Sequence, residues 1–448
     1  MQVVITNILA VAFVLGIMVL VHEFGHYAVA KLCGVRVEVF SVGFGKRIFG
    51  FRRGDTDYRL SVLPLGGYVK MSGENPMEAR TGDPGEFMSH PRWQRFLIAI
   101  AGPAMNILLA IGLLTGVYMV HYVHDIYLDQ PTQIGWVLNN SSAEKAGLSE
   151  GDVITHLDNL KNPVWEDTLY KVMLSPGQSL NVTYRRGDNE YQTKLTPDTV
   201  GTNRIGEAGM RPYEQVTVGE ADPKLPAYQA GVRSGDIIVA VNGTPVHSLF
   251  TIHQALADGK SAPMQVTARR NGQEMHFTVT PYLLTDSSDG EKAYRLGFTP
   301  ATQQHVDKLP FGQAFSRSLE QNKKFSLLIF ELVQKMIERK VSVKQMDGPI
   351  GIMKASGEAA RQPGWIPLLS LMAAISLNLA IFNLFPIPIL DGGIIMLLFI
   401  ESLMRRDISI QIKERIYQAA FVFLLLFAVM VIYNDIFKSW SDLHKFVP

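Results

Sequence analysis

The chain is poor in cysteine and poor in charge. Cys33 is the one cysteine among 448 residues, so no intrachain disulfide can form and no cysteine cluster can hold a metal. Charged residues make up 19% against 47% hydrophobic, and a net charge of +1 gives no pull toward nucleic acid. There is no basic, aromatic-rich stretch of the kind that reads bases. With so few charges on a chain long enough for about three domains, a surplus of apolar surface is left that water cannot cover.

That surplus is gathered in runs. A helix needs about 20 mostly apolar residues to span a bilayer. Four stretches qualify, at 3–32, 96–120, 366–400 and 416–433. The first is too long for a cleaved signal peptide and lacks its basic flank, although Ala28-Val29-Ala30 has the form of a cleavage site. Eleven lysines and arginines, Arg80 among them, lie between the first two runs, from Lys31 to Arg95. Arg405, Arg406, Lys413 and Arg415 lie between the last two. Under the positive-inside rule both loops face the cytosol. Both termini and the long segment 122–363 are then expected on the other side.

Between the second and third runs the chain repeats itself. "AEKAGLSEGDVITHLDN" at 143–159 matches "AYQAGVRSGDIIVAVNG" at 227–243; Ala146 answers Ala230 and Gly151 answers Gly235, each 84 positions on. "NVTYRRGDNE" at 181–190 matches "QVTARRNGQE" at 265–274 at the same offset. Each unit reads as short strands, Gly-rich turns and one helix. The pattern A-G-x-x-x-G-D-x-I resembles PDZ domains of the bacterial, protease-associated type, which implies binding of an extended peptide at a sheet edge. Two spacer domains that merely fence off a membrane site would carry the same pattern. Segment 311–346 is partly amphipathic, and its apolar core at 325–337 is short for a span, so an interfacial helix on the outer side is expected.

The first run ends in "HEFGH". His22 and His26 stand four apart, on one face of a helix, and can bind one metal ion. Glu23 beside them is placed to act as general base. Zinc suits imidazole, and a catalytic zinc takes three protein ligands and keeps one position open for water. Ionisable residues inside a membrane run are costly and mark function by default, which weighs against a chance match. A third ligand is needed. The continuation that would place Gly at 29 and His at 32 fails, since Val29 and Leu32 stand there. Glu38 is a candidate in strand-like sequence. Asp391 is the stronger one, the only acidic residue between Glu358 and Glu401, in "NLFPIPILDGG" at 383–393. Both motifs fall toward the cytosolic ends of their runs, at similar depth. The alternative is that Asp391 caps a helix start before Gly392 and pairs with nothing. His121, His124 and Asp125 lie about 39 Å along a helix from Arg95, at the opposite face, and are expected to be solvated.

With "HEFGH", "NLFPIPILDG" and the small-residue stretch "AGPAMN" at 101–106, the chain resembles the site-2 protease family of intramembrane zinc metalloproteases over essentially its whole length. The resemblance implies Zn2+ held by His22, His26 and Asp391, Glu23 as base, and Asn383 contacting the substrate backbone or the oxyanion. Pro386 and Pro388 would break the helix and aim Asp391 inward. Many relatives carry a histidine after L-D-G-G where this chain has Ile394, which the ligand set does not need. Segments 35–45 and 57–71 alternate like strands, and the resemblance implies that they form a membrane-dipping β-structure. Its edge around 35–45 would pair with an unwound substrate segment.

The expected fold is a polytopic α-helical membrane protein, with four transmembrane helices and a membrane-associated β-structure, plus two tandem PDZ-type α/β domains outside the membrane. The expected divisions are 1–126, 127–213, 214–303, 304–364 and 365–448. Expected partners are transmembrane-segment peptides of single-span proteins, membrane lipid and peptide ligands of the PDZ domains, with no nucleic acid. The resemblance further implies an anti-sigma factor and remnant signal peptides as substrates. It also implies a bacterial inner membrane with the PDZ domains and both termini periplasmic, the active site near the cytosolic side, and PDZ domains that gate access. A non-catalytic PDZ adaptor with a structural metal and a zinc or proton transporter remain as other readings. Glu23 speaks against both, since neither needs a spare carboxylate.

Overall fold

A computed structural model describes residues 2–74, 82–200, 205–285, 292–301, 304–338 and 348–444. Arg80 and the end of segment 311–346 lie outside them. Two compact units form: Met1–Tyr122, Asp307–Val333 and Met346–His444 make one, and Val123–Val306 is the body of the other.

The first unit is mainly helical. Its helices are α1 (Gln2–Leu32), α2 (Arg92–Val120), α3 (Phe311–Ile337), α4 (Pro349–Arg361), α5 (Ile366–Asn383), α6 (Asp391–Met404) and α7 (Ile410–His444). Among the described residues four stretches are long and apolar enough to cross a membrane: Val3–Leu32, Arg92–Val120, Ile366–Asn383 and Ile410–Ile436. The third is shorter than the sequence run. Pro386 and Pro388 lack the N–H that would carry the helical ladder on, so α5 stops at Asn383 and α6 starts only at Asp391. Between them Ile389 sits at φ +109°, a strained value for a β-branched residue. The start of α6 packs back on this break; a Cβ on Gly393 would lie 2.6 Å from the Ile387 carbonyl carbon.

Helix packing explains what each apolar face is for. Val14, Met18, Ala359, Leu368 and Met372 make one core between α1, α4 and α5. α3 packs lengthwise along α2. Leu309 N donates to the Tyr118 carbonyl at 3.0 Å, and Ser318 Oγ to the Ile111 carbonyl at 2.9 Å. Phe325 and Ile329 then reach Ile107, Ala110, Leu377 and Ile381. These contacts on α2 span about 16 Å, from Tyr118 to Ile107. α7 is tied near both ends: Lys413 Nζ lies 2.7 Å from Glu401, and Asp435 accepts from Gly348 N and Ile350 N at 2.9 Å each.

Two strands, β1 (Val37–Arg53) and β2 (Thr56–Met71), follow α1. They are long because each bends back on itself. Gly43 and Gly45, at φ +90° and +91°, supply the left-handed backbone that reverses β1. Val39, Phe40, Ser41 and Val42 then pair with Lys70, Val69, Tyr68 and Gly67 on one side. On the other side the same four pair with Asp57, Tyr58, Arg59 and Leu60. The expected edge at 35–45 is therefore a middle strand. Both its rows of backbone groups are taken, so it cannot accept an added peptide. Among the described residues the open edges are the last stretch of β2, at 67–71, and the far arm of β1, at 49–52.

The second unit holds the two copies. In the first, Leu160–Lys161, Val153–Leu157, Leu180–Arg186 and Asn189–Leu195 make one sheet. In the second, the order is Gln273–Val279, Met264–Arg270, Ile237–Val241, Val216–Ala221, Phe298–Pro300. The offset of the sequence carries into the packing. Ile154 and Ile238 sit buried in the two cores, where each contributes about 1.5–3 kcal/mol. Asp152 and Asp236, both fully buried, accept from Arg186 at 2.7 Å and Arg270 at 2.6 Å. The copies meet where Tyr213 stacks on His247 and Trp136 lies tilted against Phe250.

Candidate metal centre

The helical spacing of α1 puts His22 and His26 on one face, and the rings meet with their Nε2 atoms 3.2 Å apart. The break before α6 delivers Asp391 to the same point. Its oxygens lie 3.1 Å from His22 Nε2 and 3.4 Å from His26 Nε2. One ligand atom from each of the three falls within 4.8 Å of the others, although 365 positions separate His26 from Asp391. Glu23 stays outside this group. Its Oε2 accepts from Val69 N at 3.0 Å, so the carboxylate rests on the open edge of β2. Asn383, in the last turn of α5, puts Nδ2 3.4 Å from His22 Nε2.

The donor chemistry fits a cation. His26 Nδ1 lies 2.7 Å from the Ile98 carbonyl oxygen, which only accepts, so Nδ1 carries a proton, and whenever the ring is neutral Nε2 presents a lone pair. That lone pair faces a carboxylate oxygen. Two acceptors repel at this distance unless something positive stands between them. Two imidazoles and a carboxylate are a set that zinc takes. Gly102 of α2 keeps the space: a Cβ there would stand 2.7 Å from His26 Cε1 and 2.9 Å from His22 Cε1.

The other sequence candidates lie elsewhere. Glu38 is engaged by Lys70 Nζ at 2.7 Å, and His121 ends α2 with its N–H on the Val117 carbonyl. Sequence reasoning missed Asn106, fully buried with its side-chain nitrogen 3.3 Å from His22 Nδ1. The signal was an amide in an otherwise apolar run, where a polar group needs a partner. It also missed Glu74, beyond β2, which accepts from Met71 N at 3.1 Å. Burial pushes the Glu74 carboxyl up, Met71 N opposes this, and the negative charges of Glu23 and Asp391 push it further up.

A family profile described as Peptidase family M50 matches residues 10–427. The chain belongs to peptidase family M50. It is a zinc-dependent membrane metalloprotease of the site-2 type. Its M50 relatives include the regulator of sigma-E protease RseP of Salmonella typhimurium, 31% identical over 96% of this chain and 98% of that protein. The regulator of sigma-E protease RseP of Escherichia coli is 29% identical over 94% of this chain and 96% of its own length. A Vibrio cholerae relative named as a zinc metalloprotease is 30% identical over 96% and 98%.

This M50 chain has a second concave feature. In the second copy a cavity of about 850 Å³ opens between helix Leu249–Gly259 and residues 295–300, lined by Ile252, His253, Leu256, Arg295 and Phe298 among others. In the first copy Gly206 packs directly on the end of helix Trp165–Met173; a Cβ there would lie 3.1 Å from the Val172 carbonyl carbon.

Proposed function

We propose that this chain hydrolyses peptide bonds inside the transmembrane segments of single-span membrane proteins. His22, His26 and Asp391 hold the zinc ion, and Glu23 is the general base. The observation that supports this most is the convergence of two imidazole nitrogens and a carboxylate, with a further carboxylate, Glu23, held apart from them by Val69 N–H. Zinc at such a set supplies Lewis acidity toward water and toward the scissile carbonyl. Glu23 accepts the proton of the attacking water and passes it to the leaving amine. Asn383 donates an N–H to the carbonyl oxygen as charge builds there.

A helical substrate hides its peptide groups in its own hydrogen bonds, so the segment must unwind. Its freed groups then need partners at membrane depth. The edge at 67–71, beside Glu23, offers them once Glu23 and Glu74 release the N–H groups of Val69 and Met71. Water has a short path: counted from Val3, His22 lies about 28 Å along α1, near the cytosolic rim of a roughly 30 Å core. The two copies are PDZ-type domains on the outer side, with both termini. The second takes an extended peptide in its cavity, and the pair gates access by refusing substrates with bulky outer domains. By likeness to the RseP relatives, the setting is a bacterial inner membrane and the sigma-E response, with a trimmed anti-sigma factor and remnant signal peptides as substrates.

The test is cleavage of a reconstituted single-span substrate. Glu23→Gln should keep zinc and substrate yet lose about 10²–10⁴-fold in rate. Asn383→Ala should slow cleavage more than it weakens zinc. Wild-type cleavage by Glu23→Gln would sink the catalytic reading and leave an adaptor; a change in ion flux instead would leave a transporter.

A further inference from the structure

We infer that Asn106 is a positioning residue for His22: its side-chain amide fixes the ring tautomer that leaves Nε2 free for the metal. The inference rests on the proposed role of His22 as a ligand. It starts from a symmetry in how α2 serves α1. The two helices pack antiparallel, with Ile98 beside His26 and Asn106 beside His22. The histidines are four residues apart on α1, and their partners are eight apart on α2. For His26 the partner is a backbone carbonyl, which permits only one tautomer. For His22 it is a side chain, which permits two.

The two orientations of the Asn106 amide have different consequences. With Nδ2 toward the ring, Nδ1 must accept, so the proton sits on Nε2 and points at Asp391, 3.1 Å away. Asn106 Oδ1 is then buried with no hydrogen-bond partner. Turned over, the amide presents Oδ1 to Nδ1–H and Nε2 is bare, while Nδ2 takes the buried place that Oδ1 held. Oxygen and nitrogen of an amide occupy the same envelope, so the turn needs no movement of neighbours. The second orientation matches that of His26 and is the one a loaded site requires. A hydrogen bond to the outer nitrogen of a ligand histidine also makes the inner nitrogen more basic. Asn106 is anchored for this task, because its own carbonyl accepts from Ser376 Oγ of α5 at 2.9 Å.

Size and hydrogen bonding separate cleanly at this position. Asn106→Leu keeps the volume and loses the acceptor; Asn106→Asp keeps the acceptor. Full-length protein purified in detergent is titrated with zinc against a chromophoric chelator, with thermal unfolding as the check on folding. Wild type and Asn106→Asp should bind alike, and Asn106→Leu about 10–100-fold more weakly. Should the leucine variant not fold, Asn106→Ala replaces it with the same expectation. Equal zinc affinity of the leucine (or alanine) variant and wild type would overturn the inference while leaving His22 as a ligand. So would equal weakening by leucine and aspartate, which would make Asn106 a packing residue. Absence of zinc binding by wild type would remove the proposed site itself and this inference with it.

Discussion

Replacing Gly102 with alanine adds one carbon where the two histidine rings rest against α2. The new atom would stand 2.7 Å from His26 Cε1 and 2.9 Å from His22 Cε1. Ordinary contact begins near 3.4 Å, so His22 must retreat by about 0.5 Å and His26 by more than 0.7 Å, because its ligand atom Nε2 stands closer still. Neither has a free direction. His26 is tied through Nδ1 to Ile98, and His22 is wedged between Asn106 and Asp391. Metal–ligand distances hold to about 0.2 Å, well under that shift. A misplacement near 1 Å at a reacting site costs about 100-fold. We expect zinc affinity to fall about 10–100-fold, or roughly 1.4–2.7 kcal/mol, with cleavage falling at least as much at limiting zinc. Stability should change less than zinc affinity, since the roughly 1 kcal/mol that alanine gains over glycine inside a helix offsets part of the overpacking cost of about 1–3 kcal/mol. Gly112, on the same helix with open space at its Cβ position, is the control, and Gly112→Ala should change neither zinc nor cleavage. The assay is chelator competition, cleavage and thermal unfolding on all three proteins. If Gly102→Ala holds zinc within about threefold of wild type, the rings have room that the packing denies, and the reasoning fails.

Two more outcomes concern substrate entry. In a Cys33→Ser background, a cysteine replacing Lys70 on the β2 edge should crosslink to a cysteine in a bound substrate segment, while one replacing Phe51 on the far arm of β1 should not; crosslinking through Phe51 alone would move docking to the other edge. Deleting residues 142–300 should let an untrimmed substrate be cut, and if that substrate stays intact the gating idea is wrong.

Much of the molecule is readable in one dimension because its signals are local. The spans at 3–32 and 96–120 need only length and apolarity, and the 84-residue offset survives as matched buried ion pairs at Asp152–Arg186 and Asp236–Arg270. His22 and His26 share a helix face by spacing alone, and Asp391 announces itself as a lone carboxylate in an apolar run. The sheet was not readable in this way. Alternation tells which face a residue takes, not which strand lies beside it. Nothing in 35–45 reveals that β1 doubles back at Gly43 and Gly45 and becomes a middle strand. The course of α3 depends on Ser318 and Phe325 finding α2, and the packing of helix Trp165–Met173 depends on Gly206 meeting Val172. These are contacts between distant segments, invisible to any window along the chain.

The break at 384–390 has an electrical consequence. An unbroken span exposes its helix ends only at the two membrane surfaces, where water and lipid headgroups screen them. Here α5 ends at Asn383 and α6 begins at Asp391, so two extra ends lie side by side at the level of the histidines. Each end of a helix carries about half an elementary charge, negative at the C-terminus and positive at the N-terminus. Asp391 thus stands at the positive end of α6 and Asn383 at the negative end of α5. The proposed ligand and the proposed carbonyl donor are thus set in a permanent field beside His22, built from backbone alone.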